Sequence, residues 1–371
     1  MVEHTRHGVS RPPVWVQTAA RHRGTAMPVT FGVFDWIDHN GAPLHQLYEE
    51  RLQLVEAAEA AGFYCYHVAE HHQTPLGMAP SPALFLAAAA QRTRRIRLGP
   101  LVFLLPLYSP LRLIEEVCML DHLTGGRLEL GVGRGVSPYE LGYHGVDASR
   151  SRAMFQEALS VLLAGLTSER LTHEGTYYRY RDVPMVLRPL QRPYPPLWYA
   201  TSNIESVPWA AERGLHMVGL GPASAYQPFV ERYRAVRAAP PDGAVRLNPH
   251  VPEPFIGINR QVVVAETDAE ALAIVRAAHP RWADSFTRLW RAHGDETYTH
   301  RVNLDANLRH ETIIAGSPET VRAQVARLVE TTGCNYVICA FAWGEIPHAQ
   351  ALRSLRLFAA EVMPAFQRVG V

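Results

Sequence analysis

At 371 residues, with 47% hydrophobic and 19% charged residues, the chain has the composition of a compact globular protein of one large domain or two ordinary ones, not of a disordered segment. A formal net charge of +1 without a basic block argues against nucleic acid or an anionic membrane as partner. No apolar run approaches the roughly 20 residues that a membrane-spanning helix needs.

Residues 1–26 (MVEHTRHGVSRPPVWVQTAARHRGTA) are rich in Arg and His, lack periodicity and contain no apolar centre of the signal-peptide kind. They read as a disordered or loosely attached extension, or as codons upstream of a start at Met27, and residues 27–371 read as the folded domain. Strand one is expected over 29–35 (VTFGVFD). Leu44, Leu47, Tyr48, Leu52, Val55 and Ala58 then recur near the helical period, with Gly62 as the stop. Strand two is expected over 63–68, an Ala-rich helix over 82–92, and strand three over 96–105. Pro110 after Ser109 suits a helix start, and Ile114, Val117 and Cys118 share a face of that helix.

Strand four is expected over 127–132 (RLELGV), followed by a helix carrying Phe155, Leu159, Leu162, Leu163 and Leu166. Residues 167–196 form an aromatic and proline-rich excursion. Strand five follows over 197–201, then a short helix capped by Ser206 and ended by Gly214. Strand six covers 216–220, with a helix to about 238, and strand seven 256–265. Thr267 and Glu270 form a capping box for the next helix. Residues 283–316 read as irregular, with 283–311 as a mobile lid. Ser317-Pro318 opens a helix, 336–341 is strand eight, and Leu352, Leu355, Phe358 and Val362 close the chain.

Eight strand–helix pairs point to an α/β chain folded as a (β/α)8 TIM barrel with insertions. A doubly wound open sheet is the alternative, and it calls for a Gly-rich turn after strand one. That place holds DWIDHNGAP, without G-x-G-x-x-G. The four cysteines, Cys65, Cys118, Cys334 and Cys339, each fall in an apolar periodic segment without a CxxC. They read as buried reduced thiols of a cytoplasmic protein.

In a barrel the active site lies at the carboxyl ends of the strands, and three places there are unusual. EHH (Glu70, His71, His72) ends strand two. As a metal site it is poor, because adjacent histidines at a strand end point opposite ways and no HExxH stands nearby. Catalysis and a purely structural role both remain open for it. GVGRG (131–135) follows strand four and bares the backbone around Arg134. TSNIES (201–206) follows strand five and clusters Ser202, Asn203 and Ser206 at a helix amino end. The two loops read either as a tight turn plus an ordinary cap or as a split phosphate site. Trp36, His72, Phe341 and Trp343 are the substrate-pocket candidates at or near strand ends. No metal site is expected.

The blocks GFYCYHVAEHHQTPLG, RLGPLVFLLPLYSPLRLIEEVCMLDHLTGGRLELGVGRG, PPLWYATSNIESVPWAAERGL and FAAEVMPAF resemble, in order, the bacterial luciferase-like family of flavin-dependent monooxygenases. The resemblance spans about residues 28–366 and independently implies a (β/α)8 barrel. It implies reduced FMN, delivered by a separate flavin reductase, and molecular oxygen. In that family a C4a-hydroperoxide of the flavin oxygenates an aldehyde, ketone, alkane or terpenoid. By position, His71 matches the active-site histidine, Arg134 the arginine on the flavin phosphate, and Asn203 and Ser206 two further phosphate contacts. Glu70 and Ser202 match residues lining the flavin site, with Gly133 and Val136 on the arginine's loop. Leu101 and Val102 stand where the family carries a non-proline cis peptide beside the flavin ring. Luciferase itself has a cysteine where this chain has Gly133, a departure that bears on light emission and not on flavin binding. A homodimer is a further implication. The family's deazaflavin-dependent branch, which transfers hydride, and a non-catalytic flavin-binding barrel are the alternatives.

Overall fold

The computed structural model describes residues 28–366, so the extension expected over residues 1–26 lies outside the described residues. In chain order the elements are β1 (Thr30–Asp35), α1 (Leu44–Ala60), β2 (Cys65–Val68), α2 (Pro82–Arg92), β3 (Arg97–Pro100), β4 (Phe103–Leu104), α3 (Pro110–Leu123) and β5 (Leu130–Gly133). Then come α4 (Pro138–Tyr143), α5 (Ser151–Thr167), β6 (Arg170–Glu174), β7 (Arg179–Pro184), β8 (Leu197–Ala200), α6 (Val207–Glu212), β9 (His216–Gly219) and α7 (Ala223–Ala238). The rest are β10 (Ile256–Val264), α8 (Asp268–Ala292), α9 (Leu304–Arg309), β11 (Ile313–Gly316), α10 (Pro318–Thr332), β12 (Tyr336–Ala340) and α11 (His348–Leu357).

The main sheet runs β3-β2-β1-β12-β10-β9-β8-β5-β4, with every neighbouring pair parallel. Its two ends, β3 and β4, are the halves of one stave, interrupted at Leu101 and Val102, whose peptide bond is cis. The Leu98 amide donates to Arg127 O at 3.0 Å, and the Glu129 amide to Leu98 O at 2.9 Å. The sheet therefore closes on itself, and counting β3 and β4 together gives the eight staves of a (β/α)8 barrel. Parallel staves are covered by helices outside and by one another inside, so their sequences are near-continuous apolar runs. All nine residues of β10 are buried.

Two parts of the sequence reading are corrected. The strand expected over 96–105 is two short strands, because the chain turns at Leu101 and Val102. The stretch 283–316 is not irregular: α8 continues to Ala292, and α9 and β11 follow. Leu289 is buried while Asp284 takes ion pairs from Arg288 and Arg291 on the outer face. Those charges mask the helical period. β11 pairs outside the barrel circuit with the end of β10, Gln261 opposite Ile313 through Val264 opposite Gly316. The excursion after α5 is the antiparallel pair β6–β7. Thr267 does cap α8, accepting from the Glu270 amide at 3.2 Å, but Glu270 reaches back to the Glu266 amide and not to that of Thr267.

Below the strand ends the barrel is plugged by Trp198, Tyr336, Ile338, Val218 and the Leu101, Val102 and Leu104 side chains. His67 shares a hydrogen bond of 3.0 Å with the Tyr336 hydroxyl. Burial holds the His67 pKa down at about 3, so this histidine is a neutral core residue. All four cysteines are buried and free. Among the described residues no helix is long and apolar enough to cross a membrane.

Candidate active site

β2 delivers its acidic and basic residues to the barrel rim, where alternation sorts them. Glu70 is buried at 3% exposure and fully committed. One carboxylate oxygen accepts from the Leu104 amide (3.2 Å) and the Tyr108 hydroxyl (2.8 Å). The other lies 2.9 Å from His72 Nε2. His72 turns away from the cavity and packs against the His144 ring at 4.6 Å, so it braces Glu70 and does not line the pocket, contrary to the sequence expectation. His71 faces the cavity. Its Nδ1 lies 3.0 Å from Glu140 Oε1.

Glu140 is a functional candidate that the sequence reading missed. Its signal was the string Ser137-Pro138-Tyr139-Glu140, a capping box with proline in the first turn. Ser137 Oγ accepts from the Glu140 amide at 3.2 Å, which starts α4 and directs the Glu140 side chain inward. Burial alone would depress the His71 pKa. The charge and hydrogen bond of Glu140, with Glu70 behind them, outweigh it and hold that pKa above the ordinary imidazole value.

The loop after β5 presses against the cis peptide. A Cβ on Gly131 would lie 2.1 Å from Pro100 O, and one on Gly133 2.3 Å from Val102 Cγ2. Only glycine permits that approach, and it brings Gly133, Arg134 and Val136 to the same cavity wall as Leu101 and Val102. Arg134 is exposed to the cavity and touches only Ser151 Oγ at 3.4 Å. Arg152, at the start of α5, lines the same wall. Neither guanidinium has an acidic partner among the described residues.

Across from them lies the β8 loop with Ser202, Asn203 and Ser206. Here the cap differs from the expected one. Asn203 Oδ1 accepts from the Glu205 amide at 3.0 Å. Ser206 Oγ instead donates to Asn203 O at 2.8 Å and meets Thr201 Oγ1 at 2.6 Å. Ser206 is thus a brace of the loop, and Asn203 opens the turn.

The cavity between these loops has ≈ 1630 Å³ of empty space including its open mouth. Its other half is apolar, with Phe34, Trp36, Leu76, Phe286, Leu289 and Trp290. Trp36 is thus where the sequence put it. Phe341 and Trp343 are not: both are fully buried outside the cavity, Phe341 against Phe63 and Phe358, and Trp343 against Trp282. Parity explains the Phe341 error. Tyr336 and Ile338 face the barrel interior, so odd-numbered neighbours along β12 face the helices. Phe286, Leu289, Trp290, Tyr298 and Arg301 come from the stretch read as irregular. Tyr139 on α4 stacks on His293 at 4.0 Å and donates to Asp295 at 2.8 Å, fastening that stretch over the cavity. Asn259 on β10 also lines it, 7% exposed, with its Nδ2 unpartnered. Among the described residues no group of three or more His, Cys, Asp or Glu could hold a metal.

Residues 29–335 match the family model of luciferase-like monooxygenases. The chain is 38% identical over 343 residues to the protein y4wF of Sinorhizobium fredii, covering 92% of this chain and 98% of that one. It is 30% identical over 174 residues to the oxygenase component of the flavin-dependent trigonelline monooxygenase of Acinetobacter baylyi, covering 46% and 48%. The crystal structure of monooxygenase RslO1 from Streptomyces bottropensis superposes with a TM-score of 0.78 at 27% identity, over 91% of this chain and 100% of that one. A family match over most of the chain, on a closed barrel whose rim carries the His71–Glu140 pair and the Arg134 loop, leads to one conclusion: the chain belongs to the luciferase-like monooxygenase family.

Proposed function

We propose that the protein is the oxygenating component of a two-component system, taking reduced FMN from a separate flavin reductase and using molecular oxygen to oxygenate a small organic substrate. One observation carries this reading. A single cavity joins an anion cradle that has no carboxylate of its own to a histidine held by a buried carboxylate. The residues fit the cofactor. Arg134 and Arg152 lack acidic partners, as a phosphate site requires. Gly133 leaves room for a ring beside Leu101 and Val102, and Asn259 Nδ2 is a buried donor in want of an acceptor.

Arg134, Asn203 and Ser206, with Arg152 and Ser202, would hold the phosphate, while Glu70 keeps the β2 and β4 ends fixed around the ring. When bound, reduced FMN supplies the electrons and the oxygen-activating carbon. With Nδ1 engaged by Glu140 Oε1, Nε2 is the His71 atom free to exchange a proton inside the cavity. Phe286, Leu289 and Trp290 exclude water from the reacting centre. A second copy of the chain is the proposed partner of the α2–α3 face, where Leu84, Met119 and Leu123 stand exposed. The four reduced thiols favour a cytoplasmic setting.

The test is anaerobic loading with reduced FMN, then oxygen, across a panel of aldehydes, ketones, terpenes and aromatic acids. Oxygen-dependent product formation is expected. Hydride transfer from a reduced deazaflavin without oxygen, or no binding of either cofactor, would overturn the reading.

A further inference from the structure

The apolar half of the cavity carries a cation of its own. Arg301 lines the cavity from the segment between α8 and α9 and is partly buried. Its guanidinium lies 4.8 Å above the Tyr298 ring. Tyr298 in turn meets Trp290 edge-on at 4.4 Å and Phe286 at 6.0 Å. This aromatic stack holds the guanidinium against the cavity wall, with a ring face and no carboxylate beside it. Among the described residues no acidic side chain pairs with it. The two carboxylates that line the cavity are occupied, Glu70 by His72, Tyr108 and the Leu104 amide, and Glu140 by His71. Arg134 and Arg152 belong to the cradle beside β5, whereas Arg301 rises from the covering segment among the residues that shield the apolar half. A partly desolvated arginine without a partner, set in an aromatic wall, is a receptor for a planar oxyanion attached to an apolar body.

We propose that the substrate is an organic acid, with a hydrocarbon or aromatic body packed between Phe34, Trp36 and Trp290 and a carboxylate held by Arg301. This rests on the reading of the same cavity as a flavin and substrate site. Arg301 then sets specificity: neutral analogues of the same shape lose the charge-assisted contact and leave the guanidinium unpaired.

The full-length protein is first titrated with FMN, oxidised and reduced. The FMN-saturated protein is then titrated calorimetrically with cyclohexanecarboxylate and with cyclohexanecarboxamide, for wild type, Arg301→Lys and Arg301→Gln. The wild type should bind the acid about tenfold more tightly than the amide, or better. Arg301→Lys should keep part of that preference, and Arg301→Gln should bind both probes alike, with FMN affinity unchanged in all three. A wild type without preference for the acid, one that binds no acid at all, or a preference that survives in Arg301→Gln overturns the proposal. So does a loss of FMN affinity in Arg301→Gln, which would make Arg301 part of the cofactor site. If the wild type binds no FMN, the cofactor reading fails on its own, and the acid–amide comparison on the free protein still decides the role of Arg301.

Discussion

His71 Nδ1 and Glu140 Oε1 stand 3.0 Å apart, joining the end of β2 to the first turn of α4 across 69 residues of chain. Glu140 is buried at the cavity wall with one carboxylate oxygen taken up by His71, whose ring is the more open of the two to the cavity. In the proposed function this makes Glu140 the positioning residue and His71 the group that would exchange the proton.

The pH dependence follows from that pair. Glu140 holds the His71 pKa up against the effect of burial, so the protonated imidazole persists to higher pH than in water. Its ion pair contributes stability in full below the ordinary imidazole pKa and loses it as the pH rises through the raised one. Glu140→Gln should move the pH at which product per reduced flavin falls off to lower pH, with FMN affinity kept. His71→Ala should lower product formation about 100-fold or more and divert oxygen to peroxide. A pH profile of Glu140→Gln that superposes on the wild type would show that the pair does not tune the reaction.

Arg134→Ala should weaken FMN binding roughly 10- to 100-fold through loss of a charge-assisted contact. Riboflavin, which lacks the phosphate, should bind the variant and the wild type alike. Flavin fluorescence titrations of both ligands check this. An equal loss for riboflavin would mean that Arg134 shapes the loop and does not read the phosphate.

The two glycines of β5 should respond differently to alanine. At Gly131 the new methyl meets the Pro100 carbonyl, a backbone atom, at 2.1 Å, and Gly131→Ala should abolish soluble expression or strip the protein of flavin binding. At Gly133 it meets a side-chain methyl of Val102 at 2.3 Å, which must rotate or shift against its stiff β-branched preference but is not backbone, so the variant should fold with a loss of about 1–3 kcal/mol. Soluble yield and flavin binding, with thermal melts of any soluble variant, distinguish them. Equal melting temperatures would show that β5 shifts freely.

Asp38 lies between β1 and α8 with one carboxylate oxygen unpartnered and the other accepting from the Gly344 amide at 2.8 Å. Burial raises its pKa to about 7, against the opposing contributions of Ser285, Gly344 and Arg51. A carboxyl that holds its proton longer folded than unfolded makes stability fall as pH rises between about 4 and 7. Asp38→Asn should therefore gain on the wild type by about 1–3 kcal/mol on going from pH 4 to pH 8. Denaturant melts at the two pH values measure it, and a difference independent of pH would sink the assignment.

The sequence by itself determined the staves, because a buried parallel strand must be a short apolar run and the helices between must show their period. It also determined the loops that matter, since Glu70, His71, Gly133, Arg134, Ser202, Asn203 and Ser206 all stand where strands end, and a barrel gathers strand ends at one rim. The tertiary structure decided what depends on facing and on distance along the chain. Phe341 and Trp343 are as aromatic as Trp36, but strand parity and loop path turn them away from the cavity. His72 differs from His71 by one position and faces the other way. Glu140 reaches His71 only because α4 starts at Ser137 and lies across the β2 end, a contact with no trace in local pattern. Trp290 and Arg301 fell in a stretch read as irregular, because the outer face of α8 carries the charges of Asp284, Arg288 and Arg291 and Arg301 lies in the short turn beyond that helix. That the opposite face roofs the cavity follows from how α8 packs, which periodicity alone does not encode.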